Sequence, residues 1–384
     1  MHSHFHLHLP HYFASKVRKE VEHLYASTAV GNLAQAIIAL FEPIFLYVVL
    51  GLSITEVLLF AAVVYGLYIV LIPFGAKIAA RFGYAHSILL SIPFQILLWM
   101  SLIGSQYYFE LIYIAPVLFA LQKIFFWPAW HATLARFAHG KQVAREFSAM
   151  YAIMNLVQIM GPMIGGFLTM FFGVNSVFLI GSLIYACSAI PLLLSKEIFV
   201  PKPYRYRDTW ELVKKYPVRF AGYLGFGEEL LVMIIWPIFI YMIVKDYQNL
   251  GSLVTIASLA ATGLALLIGI YSDKYGKKKI LQIGGFFYVL SWLARIPVIS
   301  PFGVFITDAI SRTAKSLVFI PVTAMTYERA ETTHIMPYVV GMEQLLCVGK
   351  FLAAVMGIVV FAATGSFIAL FILAAVFSLF YFLI

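Results

Sequence analysis

Charge is scarce in this chain and cysteine almost absent. Of its 384 residues only 11% are Asp, Glu, Lys or Arg against 62% hydrophobic, and the mean hydropathy is +0.93. A water-soluble domain has no use for so much apolar side chain, so the scarcity excludes one and points to a protein embedded in lipid. The 2 cysteines, Cys187 and Cys347, both fall in apolar stretches. They read as buried thiols rather than as a disulfide. Also missing are H-E-x-x-H, G-x-S-x-G, a phosphate-binding P-loop and any Cys-His cluster within the apolar stretches. The usual hydrolytic, ATP-driven and metal-catalysed mechanisms therefore lack their residues, and no enzyme activity, cofactor or metal is expected.

What the chain has instead is long apolar runs. Twelve are expected to cross the bilayer, at 28–50, 55–74, 86–104, 111–137, 144–172, 177–194, 220–244, 250–270, 280–299, 303–323, 339–363 and 367–384. At about 20 residues each they span a hydrocarbon core of about 30 Å as helices. The fold class is thus an all-α membrane protein. Basic residues mark alternate connections: Lys77 and Arg81; Arg136, Lys141 and Arg145; Lys196 through Arg219; and Lys274 to Lys279. Loops rich in Lys and Arg stay in the cytoplasm. The expected location is the cytoplasmic (inner) membrane, multi-pass, with both termini cytoplasmic, and the net charge of +9 reads as a topology signal rather than a nucleic-acid footprint.

Residues 1–27 form a separate segment. Phe13, Val17, Val21 and Leu24 recur at helical spacing among Lys16, Arg18, Lys19 and Glu20, as in a helix lying on the inner membrane surface. No cleavable signal is expected ahead of the first span. His2, His4, His6 and His8 alternate at the start. An extended strand would align such imidazoles for a transition metal, while the plainer reading is a weakly metal-sticky tail.

A repeat divides the rest. "EPIFLY" from Glu42 returns as "WPIFIY" from Trp236, and at the same offset Gln35 meets Glu229. Nearby offsets pair Gly83 with Gly276, Lys123 with Lys315 and Pro128 with Pro321. Two six-helix halves, 28–195 and 220–384, joined by a cytoplasmic linker 196–219, follow from this duplication, and parallel repeats of that kind hold their solute at the midplane between halves.

Over essentially its full length the chain resembles the major facilitator superfamily. The resemblance is strongest at "GIYSDKYGKKK", where Gly269, Asp273, Lys274, Gly276, Lys277 and Lys278 match the loop signature of that family. The first copy, "AKIAARFGYAH", keeps Arg81 and Gly83 but has Ala76 and Ala80 at the Gly and Asp positions. "GPMIGG", with Gly161, Pro162, Gly165 and Gly166, resembles a segment of drug-exporting antiporters, although small residues four apart also let helices pack closely. The resemblance implies a secondary transporter of prokaryotic type, monomeric, working by alternating access on an ion gradient. It also implies that spans 1, 4, 7 and 10 line the central cavity.

All four of those spans carry charge, which is costly in lipid and normally faces a bundle interior. The candidates for solute or proton binding are Glu42 on span 1, Lys123 on span 4, Glu228 and Glu229 on span 7, Asp308, Arg312 and Lys315 on span 10, and Glu343 and Lys350 on span 11. Glu228 and Glu229 are about 100° apart on a helix and are not expected to enter one cavity together. Glu229 is the better cavity residue, with Glu228 bracing a neighbour. Lys123 falls where proton-linked exporters of the family tend to carry an arginine, without the usual following glycine. Trp127 and Trp130 are expected near Lys123. The partners expected are lipid, a small-molecule solute and protons, with no nucleic acid. A non-transporting receptor on the same fold is the alternative, and drug-type efflux against anionic nutrient uptake stays open.

Overall fold

The computed structural model describes residues 19–137, 141–194 and 203–384, with side chains described outside 19–22, 136–155 and 263–275. The histidine run, residues 196–202 of the linker, and the side chains of Arg136, Lys141, Arg145, Asp273 and Lys274, together with Gly269, lie outside the described residues. Every regular element among those described is helical. In chain order they are α1 (Lys19–Ala39), α2 (Glu42–Ile44), a π-helical turn (Phe45–Val49), α3 (Ile54–Phe82), α4 (Tyr84–Gly104), α5 (Leu111–Phe137), α6 (Lys141–Phe172), α7 (Asn175–Cys187) and α8 (Ala189–Leu194). The second part comprises α9 (Tyr206–Lys215), α10 (Pro217–Gly222), a 3₁₀ turn (Tyr223–Phe226), α11 (Gly227–Val244), α12 (Tyr247–Tyr275), α13 (Lys277–Leu293), α14 (Pro301–Thr332), α15 (Ile335–Thr364) and α16 (Phe367–Ser378), closed by a 3₁₀ turn (Leu379–Leu383).

Among the described residues 7 helical stretches are long and apolar enough to cross a membrane: His23–Val49, Ile54–Phe82, Tyr84–Gly104, Leu111–Ala135, Asn175–Leu194, Pro217–Val244 and Ile335–Thr364. Leu156–Phe172 and Phe367–Leu383 are shorter apolar helices. The chain is a multi-pass membrane protein. The apolar residues left uncovered, such as Val70, Phe172, Leu183 and Val359, give the bundle an outer wall suited to lipid.

Local chemistry sets the helix ends. Ser53 and Glu56 form a reciprocal capping box that starts α3, satisfying two otherwise orphaned N–H groups. Pro301 occupies the first turn of α14 behind the Ser300 cap, where a missing N–H costs nothing. The same reasoning accounts for Glu42 and Pro43. Here α1 stops at Ala39, and Pro43 sits in the first turn of α2, so the proline begins a short helix rather than weakening a long one. Its repeat partner Pro237 lies within α11. The duplication shows more evenly at the next connection. Gly83, between α3 and α4, has φ +110°, and Gly276, between α12 and α13, has φ +89°, a backbone region that only glycine enters without strain.

Close contact between helices relies on small residues. A Cβ on Gly161 would sit 2.4 Å from that of Ala36 on α1, and one on Gly165 the same distance from the Ile37 carbonyl oxygen. Gly166 faces the Tyr247 carbonyl, and a Cβ on Gly251 would lie 2.2 Å from the Pro162 carbonyl oxygen. The four residues of the small-residue motif thus join α6 to α1 on one side and to α12 on the other. Beside Pro162 the Thr255 hydroxyl enters the backbone ladder of α6, accepting from Met163 N–H at 3.1 Å and donating to the Ile159 carbonyl at 3.0 Å. A side chain inserted this way bends a helix and here ties α6 to α12.

Cys347 is buried, whereas Cys187, at the end of α7, is exposed on the bundle surface. Its side chain lies on the outward face of that helix, so the expectation of a buried thiol fails there. Gly251→Val should lower the thermal unfolding midpoint in detergent, by an overpacking cost of about 1–3 kcal/mol. Gly66→Ala, whose added carbon would meet only the Phe351 ring at 3.4 Å, should leave the midpoint within about 0.5 kcal/mol of the parent.

Candidate functional site

Lys315 of α14 and Glu228 of α11 form an ion pair with a fully buried carboxylate. Glu228 is fully buried, with Lys315 Nζ and Tyr381 O–H donating to its Oε1 and Tyr288 O–H to its Oε2. Lys315 also donates to Tyr381 Oη at 2.9 Å and stands 5.1 Å from the Phe226 ring centre. One carboxylate thereby connects α11, α13, α14 and the turn after α16. Deep charges are tolerated when each donor and acceptor is used in this way.

Next along α14, Arg312 Nε donates to Asp308 Oδ2 at 2.7 Å and Trp236 Nε1 to Asp308 Oδ1 at 2.9 Å. Arg295, in the turn after α13, is stacked between Trp292 and Trp236, its guanidinium carbon 3.9 and 4.3 Å from the ring centres, and gives Nη2 to Ser311 Oγ at 2.8 Å. It is 1% exposed. These groups border a cavity of about 300 Å³ walled by Gln158 and Ile159 of α6 and by residues of α11 to α14. Glu228, Glu229, Asp308, Arg295, Arg312 and Lys315 all contribute to its lining. The expectation that Glu228 and Glu229 could not share a cavity is corrected. The space wraps around α11, so neighbouring positions reach it from two sides.

Lys350 of α15 pairs with Glu229 at 2.7 Å. Lys123 packs over the rings of Phe119 and Tyr65, 4.1 and 5.5 Å from their centres, with Glu42, Glu343 and Lys350 in electrostatic reach. Glu42 receives Trp99 Nε1–H at 3.4 Å. Trp127 and Trp130 do not wall Lys123; they flank His131, 5.5 and 5.1 Å from its ring centre, because they lie a turn or more further along α5.

His131 is a residue that the sequence reading missed. Its Nε2 stands 3.0 Å from Glu343 Oε1, and its Nδ1 is 2.8 Å from Tyr327 Oη. Tyr68 O–H donates to the other Glu343 oxygen at 2.8 Å. Residues of α3 and α5 thus hold residues of α14 and α15, and Gln344 Nε2 adds a bond to the Ile69 carbonyl at 3.0 Å. Arg295 was missed as well, although an arginine within an apolar span was a legible signal.

The repeat acquires a different register here. Tyr185 accepts from Gln122 Nε2 at 3.5 Å and hydrogen-bonds Gln35, as Tyr381 meets Lys315 and Glu228 in the second half. Measured from the prolines Pro128 and Pro321 on α5 and α14, Lys315 corresponds to Gln122 rather than Lys123. One residue is about 100° of helix, so Lys123 and Lys315 do not approach the centre from equivalent angles.

In the loop signature, Lys277 at the start of α13 pairs with Glu328 near the end of α14. Many helices, a charged interior and a cavity lined by α6 together with α11 to α14 define the class as that of a membrane transporter. Residues 24–231 match the Major Facilitator Superfamily, more than half the chain, and the protein belongs to that superfamily. Comparison with curated proteins gave no match.

Glu228→Gln should destabilise the protein by about 3–5 kcal/mol, because it strands the Lys315 ammonium in a poorly solvated site. Adding Lys315→Met should restore much of that loss. Reversible denaturation of the two variants and the parent measures both effects, and equal destabilisation by single and double variants would show that the pair does not act as a unit.

Proposed function

We propose that the protein is a secondary carrier that moves a small organic solute across the membrane by alternating access, driven by protons. Its twelve spans are α1 with α2, α3, α4, α5, α6, α7 with α8, α10 with α11, and α12 to α16, arranged as the halves 28–195 and 220–384. The observation that carries this reading is the charged cavity of about 300 Å³ with walls from α6 of the first half and α11 to α14 of the second. A site built from both halves changes shape when they rock, which is how a carrier of this kind exposes it to one side and then the other.

The contact of His131 and Tyr68 with Glu343 and Tyr327 is the closure that must open in each cycle. Glu229, paired with Lys350, and Glu42, which receives only a long contact from Trp99, are the proposed proton carriers. A carboxylate held by one exchangeable partner can trade that partner for a proton as the halves move. Asp273 serves as a latch at the basic end of the second half, where Gly276 makes the tight turn.

In vesicles with an imposed pH gradient, Glu42→Gln and Glu229→Gln should each abolish proton-driven accumulation while solute exchange persists. Undiminished accumulation in both variants would remove these residues from coupling. Asp273→Asn should leave the fold intact and shift the balance of open states, read as altered labelling of cysteines introduced at the two membrane faces; identical labelling in variant and parent would reduce Asp273 to ordinary loop charge. A protein that binds solute yet moves none in either assay would be a receptor on this fold.

A further inference from the structure

The cavity contains one cation that the mechanism so far leaves without work. Arg295 keeps Nε and Nη1 buried without a hydrogen-bond partner among the described residues, and the indole N–H of Trp292, stacked on it, is likewise unpartnered. A guanidinium does not shed its proton in a protein. The nearby carboxylates are already engaged, since Asp308 receives Trp236 and Arg312 while Glu228 receives Lys315, Tyr381 and Tyr288. Glu229 is taken by Lys350. The cavity lining holds three cations, Arg295, Arg312 and Lys315, and three carboxylates, Glu228, Glu229 and Asp308, and because Lys350 from outside the lining takes Glu229, these pairings leave Arg295 without a carboxylate partner among the described residues.

Stacking between two indoles offsets part of the cost of burying Arg295 and fixes the plane of its guanidinium, but it supplies no acceptor. We propose that Arg295 is the anchor of an oxyanion subsite, and that the solute of this carrier is a small organic anion whose carboxylate or phosphoryl oxygens meet Arg295 at the end of the cavity bounded by Ser311 and Arg312. The inference rests on the carrier reading above and adds the chemical class of the solute. Arg is suited to the task because its planar fork matches two oxygens of a carboxylate or phosphate. Gln158, Ser258, Thr262 and Ser316 on the remaining wall would meet polar groups on its body.

The test uses the full chain in lipid nanodiscs with succinate and inorganic phosphate as probes, and choline and glucose as cationic and neutral counterparts. Succinate or phosphate should raise the unfolding midpoint of the parent, and choline and glucose should not. Arg295→Met should weaken the binding of the responding anion by about 10- to 100-fold, the effect of losing a charge-assisted contact. Without ligand this variant should unfold no lower than the parent, because an apolar side chain of similar length replaces an uncompensated charge. Arg295→Lys should recover only part of the affinity. An equal anion response in the parent and Arg295→Met would overturn the assignment.

A second measurement separates this inference from the carrier reading. Thr262→Cys, placed on the cavity wall in a Cys187→Ser background, is labelled with a thiol reagent in the presence of each probe. Protection by succinate or phosphate supports the oxyanion subsite and shows which oxygen chemistry it takes. Protection by choline or glucose alone would leave the carrier intact and overturn the anion. No protection by any probe would count against both.

Discussion

A charge inside a lipid-embedded bundle must meet an opposite charge, a set of dipoles or water, and much of this protein's interior is arranged to satisfy that demand. Lys315 with Glu228, Lys350 with Glu229, Arg312 with Asp308 and His131 with Glu343 account for eight ionisable groups between them. Apolar packing cannot set the register of helices whose outer faces are bathed in lipid, because hydrocarbon solvates leucine about as well as another leucine does. Directional contacts can. Moving α11 by a residue against α14 would strand Lys315, so these pairs fix how the second half assembles and where its cavity opens.

The clusters around Tyr185 and Tyr381 differ in charge. Around Tyr185 stand Gln122 and Gln35, neutral groups that hydrogen-bond at little electrostatic cost. Around Tyr381 stand Lys315 and Glu228. The same hydroxyl thus sits in an amide cluster on one side of the molecule and in an ionic one on the other. The concentration of Arg295, Asp308, Arg312, Lys315 and both glutamates of α11 along the cavity follows from that difference. The first half contributes fewer charges, among them Lys123 and Glu42, and these meet aromatic rings.

Contacts between helices far apart in the chain are of two physical kinds. Where α6 meets α12, backbones approach through glycine and the Thr255 hydroxyl enters a helix ladder, a tight seam that suits a pivot. Where α3 and α5 meet α14 and α15, long polar side chains, His131, Tyr68, Tyr327 and Glu343, hydrogen-bond across the contact beside apolar packing of Phe351 on Gly66 and of Leu58 on Gly357. Such polar side chains can release and re-form their bonds over a few ångströms without disturbing the helices that carry them.

The sequence by itself determined the membrane setting, the helical class, the position of most helices and the superfamily, because apolar run length, the repeat and the glycine-bearing loop signature are local properties that the bilayer converts directly into structure. It also located nine charged candidates, since a charge in an apolar run stands out, although Arg295 at the end of its span was passed over. It did not determine their partners. Glu228 was read as a brace apart from the cavity and Lys123 as the mate of Lys315, yet a one-residue difference on a helix turns a side chain by about 100°, more than a drifting repeat alignment resolves. His131 passed unnoticed because a single histidine among tryptophans looks like core packing until Glu343, 212 positions away in the chain, is brought against it. Only the tertiary structure decided which charges were compensated, and hence that Arg295 was not, because compensation depends on distances between helices far apart in the chain.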